Sequence, residues 1–113
     1  MKDFGFLPLA PATLHILVAL AADDLHGYAI MQEVERQSEG LYKLGPGTLY
    51  DNLQRLLDQG LVQEVSRPTE DSRRRHYRLT AMGRRVLTAE ISRLEGVIRD
   101  ARLRLMGPKP RRT

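Results

Sequence analysis

The chain of 113 residues has no cysteine and no tryptophan, and only two phenylalanines beside its four tyrosines. Without cysteine there is no disulfide framework, no thiol nucleophile and no Cys-ligated zinc or iron–sulfur centre. Long apolar runs are also missing. The longest, Leu14 to Ala22 with His15 inside it, is about half of what a bilayer span needs, so no membrane partner is expected. The opening Met1-Lys2-Asp3 lacks the basic-then-apolar layout of an export signal, and a cytoplasmic location is expected. The three histidines, His15, His26 and His76, are scattered, and no HExxH, phosphate loop or Ser–His–acid pattern accompanies them. Catalysis therefore finds no foothold, and neither a metal nor another cofactor is expected. A lone His on an apolar helix is more often a satisfied core residue than a ligand, and His15 fits that description.

With 42% hydrophobic residues, the composition is that of an ordinary globular chain. Its length supports one domain with a modest core, burying roughly two-thirds of the unfolded surface. The charge is unevenly spread. Residues 66–85 hold Arg67, Arg73, Arg74, Arg75, Arg78, Arg84 and Arg85 against Glu70 and Asp71, a local balance of +5. The rest of the chain, with 11 basic and 12 acidic residues, stands at −1. So concentrated a patch suits a polyanion, of which nucleic acid is the commonest. On charge alone, a solvated loop kept soluble by arginine explains it equally well.

Leu14, Leu17, Val18 and Ala21 recur at helical spacing, with Ile16 and Leu20 widening the face. Pro11 suits the start of this first helix, and its apolar surface implies contacts on more than one side. A second helix is expected from about Tyr28 to Ser38, with Ile30, Met31 and Val34 inward and Gly40 as a left-handed cap. Leu41 to Leu44 is too short for a helix and alternates well enough for a stub of strand. The third helix has the clearest start, with Gly45 as cap and Pro46 in the first helical position. Leu49, Leu53, Leu56 and Leu57 form its apolar face, and Gly60 ends it. Thr48, Tyr50, Asp51, Asn52, Gln54 and Arg55 are then expected to point outward, a face well equipped for hydrogen bonding to DNA.

Two strands follow, Leu61 to Ser66 and Arg75 to Leu79, joined by the charged, turn-rich stretch Arg67 to Arg74. The pattern is an antiparallel hairpin with a basic tip. Thr80 caps a final long helix in which Leu87, Ile91, Leu94, Ile98, Ala101 and Leu105 keep a heptad seam for nearly three heptads. Packing against the first helix would occupy such a seam. A long helix in a small domain outruns its own core, however, and a two-fold dimer would cover the remainder. Met82 and Val86 fall outside the seam and are expected on the hairpin and first helix.

Three helices and a two-stranded hairpin, in that order, spell a winged helix-turn-helix. The fold class is mainly α with a small β-hairpin. Residues 1–79 form the DNA-binding domain, 80–106 a C-terminal dimerisation helix, and 107–113 a disordered basic tail. In this arrangement the third helix enters the major groove and the hairpin lies along the backbone or minor groove.

Several motifs carry a resemblance to a known family. They are Leu25-His26-Gly27-Tyr28-Ala29-Ile30; Gly47-Thr48-Leu49-Tyr50 with Leu53, Arg55-Leu56 and Gly60-Leu61-Val62; and Tyr77-Arg78-Leu79-Thr80 with Gly83-Arg84 and Leu87. In order and spacing, over roughly residues 10 to 90, they resemble the PadR family of transcriptional regulators. The single helix after Thr80 is similar to the short subfamily. The resemblance implies a homodimeric repressor of double-stranded DNA, and a small-molecule effector of unidentified chemistry between the subunits.

Lys43, Thr48, Tyr50, Asn52, Gln54, Arg55, Arg73, Arg74 and Arg75 are the candidate DNA contacts. Thr48 and Tyr50 lie where helix N-terminal amides favour phosphate. Asn52 and Gln54 suit adenine edges, and Arg55 a guanine or a phosphate. Arg55 would serve equally in an ion pair with Asp51 or Asp58. Asp51 repels phosphate and implies an altered base preference. Gly27 permits a tight start to the second helix, and Tyr77 and Leu79 are expected to face the core. Leu87, Ile91, Leu94, Ile98, Ala101 and Leu105 are the candidate dimerisation residues. Two copies would bind an inverted repeat with reading helices roughly 34 Å apart. A winged-helix module for protein–protein contact is the competing reading. RNA binding is weaker, because the aromatic platforms that stack unpaired bases are lacking.

Overall fold

The computed structural model describes residues 5–66 and 75–107. The elements run α1 (Pro11–Leu20), β1 (Leu25–His26), α2 (Gly27–Gln37), α3 (Pro46–Asp58), β2 (Val62–Val65), β3 (His76–Leu79) and α4 (Ala81–Met106). The sheet is antiparallel in the order β1-β3-β2. Val62 faces Leu79 and Val65 faces His76 across the hairpin, while Leu25 pairs with Tyr77 on the other edge of β3. Among the described residues no helix is long and apolar enough to cross a membrane.

Local signals set most boundaries. Pro11 and Pro46 occupy the first turns of α1 and α3, where the absent N–H leaves nothing unsatisfied. Thr80 caps α4 as expected, its hydroxyl accepting from the Gly83 N–H at 3.0 Å. Gly60, at φ of +77°, takes the left-handed turn that ends α3, whereas after α2 the left-handed position falls first on Glu39 at φ 55°, with Gly40, expected there, following at +81°. The core gathers Ile16, Leu17 and Leu20 of α1, Ile30 and Val34 of α2, Leu49, Leu53 and Leu56 of α3, Leu61 and Val62, Tyr77 and Leu79 of β3, and Val86 of α4. α1 is thus buried against several elements at once.

Four expectations need correction. The buried face of α1 runs through Ala12, Ile16, Leu17, Ala19 and Leu20. Val18 consequently lies at the exposed rim and Leu14 and Ala21 only at the edge of the core. Leu41 to Leu44 forms no strand, because the Tyr42 N–H donates to the Ser38 hydroxyl at 2.9 Å and Leu44 sinks into the core. β1, two residues long, carries no readable alternation and exists only because β3 lies beside it. Finally, Leu87 is not available to a partner: it is 5% exposed within the domain's own core. The seam opens to solvent only beyond it, with Ile91, Ile98, Ala101 and Leu105 exposed and Leu94 half-buried. α4 projects past the core in a molecule measuring 62 × 34 × 22 Å. Residues 67–74 and 108–113, including Arg73, Arg74 and most of the expected tail, lie outside the described residues.

His15 stacks on Tyr42 with ring centroids 4.6 Å apart and lies 3.1 Å from Gln37, the environment of a satisfied packing residue. Gly83 and Glu90 are among the residues that hold α4 on the domain. Gly83 lies so close to the Leu61 carbonyl oxygen that a Cβ there would overlap it, and would stand 2.8 Å from Leu79 Cδ1. Alanine would gain about 1 kcal/mol of helix propensity, but overpacking against a main-chain carbonyl costs more. Gly83→Ala is expected to lower stability by a net of about 1–2 kcal/mol in urea unfolding; an unchanged or raised midpoint would contradict this close packing.

Glu90 makes another such contact. Its fully buried carboxylate accepts from the Leu9 N–H at 3.0 Å and from Arg93 Nε and Nη2 at 2.6 and 3.0 Å. The Arg93 hydrogen bonds hold its carboxyl below the ordinary value of 4.5, against burial, which pushes it up. A group depressed in the folded state contributes fully above its unfolded pKa and loses that contribution as pH falls through the folded one. Glu90→Gln is expected to cost on the order of 1–2 kcal/mol at neutral pH, since Arg93 is itself partly solvated. The difference from wild type should shrink as pH falls below 4.5. An equal difference at pH 3 and pH 7 would assign Glu90 a packing role only.

Candidate nucleic-acid interface

The rotation of α3 determines what the molecule presents. Leu49, Leu53 and Leu56 are buried toward α1 and α2, so at 100° per residue Gly47, Asp51, Gln54 and Asp58 form the opposite ridge. Thr48 and Arg55 flank it on one side and Tyr50 on the other, all exposed. Gln54 Nε2 donates to Asp58 Oδ1 at 3.1 Å. Arg55 forms no ion pair with Asp51 or Asp58 among the described residues, leaving its guanidinium open to a ligand.

Asn52 is a correction. Read as an outward adenine contact, it is 8% exposed and turned into the domain. Thr13 Oγ1 donates to Asn52 Oδ1 at 2.8 Å, and Asn52 Nδ2 donates to the Thr48 carbonyl at 2.9 Å. At three residues from Leu49 and one from Leu53 it lies within the buried arc, where an amide is retained only because both ends are hydrogen-bonded. It ties α3 to α1.

Tyr50 is placed by a residue far from it in sequence. Its hydroxyl lies over Gly27, where a Cβ would overlap that oxygen and stand 2.9 Å from Cζ. Gly27 opens α2 and does not adopt a positive φ. A glycine that the backbone conformation does not require marks close approach by a neighbour, here the Tyr50 ring rather than a tight helix start. The ring is half exposed, at 49%. Beside it Tyr77 is buried, and burial, then Glu64, push its phenol above the ordinary value.

The wing is fastened at its base. Arg78 donates from Nε and Nη2 to Asp24 at 3.0 and 2.8 Å, a two-pronged pair joining β3 to the turn after α1. Arg84 Nη2 donates to the Ala21 carbonyl at 3.1 Å. These two arginines of the basic stretch therefore have structural partners, which composition could not reveal. Arg75 stays largely exposed, at 3.3 Å from Glu64 in a solvated pair of small worth. Lys43, just before α3, lies 3.9 Å from Glu35 in a similarly open pair. His26 caps α2 by accepting from the Ala29 N–H at 3.2 Å, and its ring meets His76 edge-on at 5.4 Å.

Thr48, Tyr50, Gln54 and Arg55 are thus exposed on α3, Arg75 is exposed at the start of β3, and Arg73 and Arg74 fall outside the described residues. If Asn52 holds α3 in its roll, Asn52→Ala should lower unfolding stability by about 1–3 kcal/mol, by leaving the Thr13 hydroxyl without its acceptor and a gap in the buried arc. A solvent-exposed amide would cost under about 0.5 kcal/mol, and such a value in thermal or urea unfolding would restore the outward reading.

Comparison with known proteins gives the family and the fold. Residues 16–89 match the transcriptional regulator PadR-like family. The transcriptional regulator Rv3488 of Mycobacterium tuberculosis is 38% identical over 91 residues, spanning 80% of this chain and 82% of that protein. The crystal structure of a PadR family transcription regulator from Clostridium difficile matches with a TM-score of 0.66 and 26% identity, covering 87% of this chain and 100% of that one. A transcriptional regulator from Clostridium thermocellum, at 24% identity, shares the fold with a TM-score of 0.70 over 87% of this chain and 88% of its own.

Proposed function

The chain belongs to the PadR-like family of transcriptional regulators, and we propose that it works as a homodimeric repressor on an inverted-repeat operator in double-stranded DNA. The family is one of regulators, not enzymes. The carrying observation is the exposed face of α3 beside the wing, with Thr48, Tyr50, Gln54 and Arg55 outward and their helix anchored from behind. A rod of this width suits a major groove, with Arg75 and the neighbouring Arg73 and Arg74 reaching the backbone.

The exposed half of the α4 seam supports the dimer. Ile91, Ile98 and Leu105, the last 85% exposed, recur with Ala101 and Leu94 along one side of a projecting helix. Pairing two such stripes removes them from water and relates the two α3 helices by a two-fold axis, the symmetry an inverted repeat matches. Leu87 takes no part. An effector bound between subunits would act by favouring one spacing of the reading helices.

The purified chain is expected at twice its 12.9 kDa in solution, and to retard a selected duplex. Log affinity should fall by about 0.9 per log unit of salt for every phosphate neutralised. Replacing Arg73, Arg74 and Arg75 with Ala should reduce that slope by about 0.9 for each that touches phosphate. A slope unaltered in the triple variant removes the wing from the footprint, and a monomer that ignores duplex DNA removes the proposal.

A further inference from the structure

We propose that Asp51 is a specificity-determining residue that reads a cytosine in each half-site. The inference rests on the reading above, in which α3 enters the major groove. Asp51 stands in the middle of the ridge opposite the buried Leu49, Leu53 and Leu56. Gly47, one turn earlier on that ridge, carries no side chain and has nothing within 4 Å of its Cβ position. The carboxylate is therefore the first charged group that an approaching base edge meets.

Its oxygens are open. Arg55 sits four residues on, the spacing at which an acid and a following base pair on a helix, yet the two form no ion pair. Gln54 is turned to Asp58 and Asn52 is buried with its own partners. Nor does the helix start account for an acid here. Asp51 is the sixth residue of α3, beyond the first turn in which a carboxylate gains from free amides and the helix dipole. Among the described residues nothing neutralises it.

A bare carboxylate between phosphate strands is unfavourable unless it meets a donor. In the major groove guanine offers O6 and N7, and thymine O4, all acceptors that repel it. Only the exocyclic amino groups of cytosine and adenine donate there. Adenine sets its N7 acceptor beside N6, where the second carboxylate oxygen would fall, whereas cytosine presents N4–H₂ without a ring acceptor on that edge. Asp51 accordingly selects cytosine and acts against the other three bases.

The test is parallel selection from random duplexes with the full chain, Asp51→Ala and Asp51→Asn. The wild type should return a motif with one fixed cytosine per half-site, and replacing that base should weaken binding by about 5- to 30-fold. Asp51→Ala should lose the preference at that position alone. Asp51→Asn, now carrying a donor as well as an acceptor, should move it toward adenine. Because Asp51 is exposed, unchanged melting of both variants verifies that the fold is retained. If both return the wild-type motif with uniformly tighter binding, the carboxylate merely repels the backbone and the inference is overturned. If the wild type enriches no duplex at all, the DNA reading itself falls, and this inference with it.

Discussion

Leu49, Leu53 and Leu56 lie in the core while Asn52, in the same arc, accepts from Thr13 of α1 through Oδ1 and donates from Nδ2 to the Thr48 carbonyl of its own helix. Apolar burial alone leaves a helix some freedom to roll, because leucines repack at modest cost. A buried amide does not allow that, since any roll strands a donor and an acceptor away from water. The roll of α3 decides which side chains form its outer ridge, so every property of the proposed reading surface follows from it. Asp51 and Gln54 face outward for the same reason that Asn52 does not.

Two glycines extend this control to neighbouring elements. Gly27 leaves room for the Tyr50 hydroxyl at the start of α2, and Gly83 brings α4 down onto the Leu61 carbonyl. Neither serves a left-handed turn; each removes a Cβ where two elements meet closely. Tyr50 is thereby laid against α2 while remaining half exposed, and α4 begins at a fixed height above the hairpin. Arg78 with Asp24 fastens the base of the wing to the turn after α1, and Arg84 with the Ala21 carbonyl fastens the first turn of α4 to the end of α1. The described part of the positively charged stretch thus divides, Arg78 holding the wing and Arg84 holding α4, while Arg75 faces outward. The division matters for a ligand, because only an outward-facing arginine can neutralise phosphate.

α4 is divided in the same way. Gly83, Val86, Leu87 and Glu90 are buried in the domain, and past Ile91 the helix has outrun its core. A single heptad pattern therefore serves two surfaces in succession. Periodicity records that one face is apolar and is silent on what covers it, which is why Leu87 reads as part of the seam although it packs internally.

Elements set by short-range chemistry were legible from the residues alone. Pro46 and Thr80 at helix starts, Gly60 at a helix end, the leucine stripe of α3 and the pairing of β2 with β3 all depend on neighbours close in sequence. The motif order was equally readable, and with it the family. What tertiary structure decided was every contact between residues distant along the chain: β1 against β3, Asp24 with Arg78 across 54 positions, Thr13 with Asn52 across 39, and Tyr50 over Gly27. Helical spacing locates a face to within a residue or two. Whether a polar side chain at its edge turns to solvent or inward depends on a partner supplied by another element, and no local pattern encodes that partner.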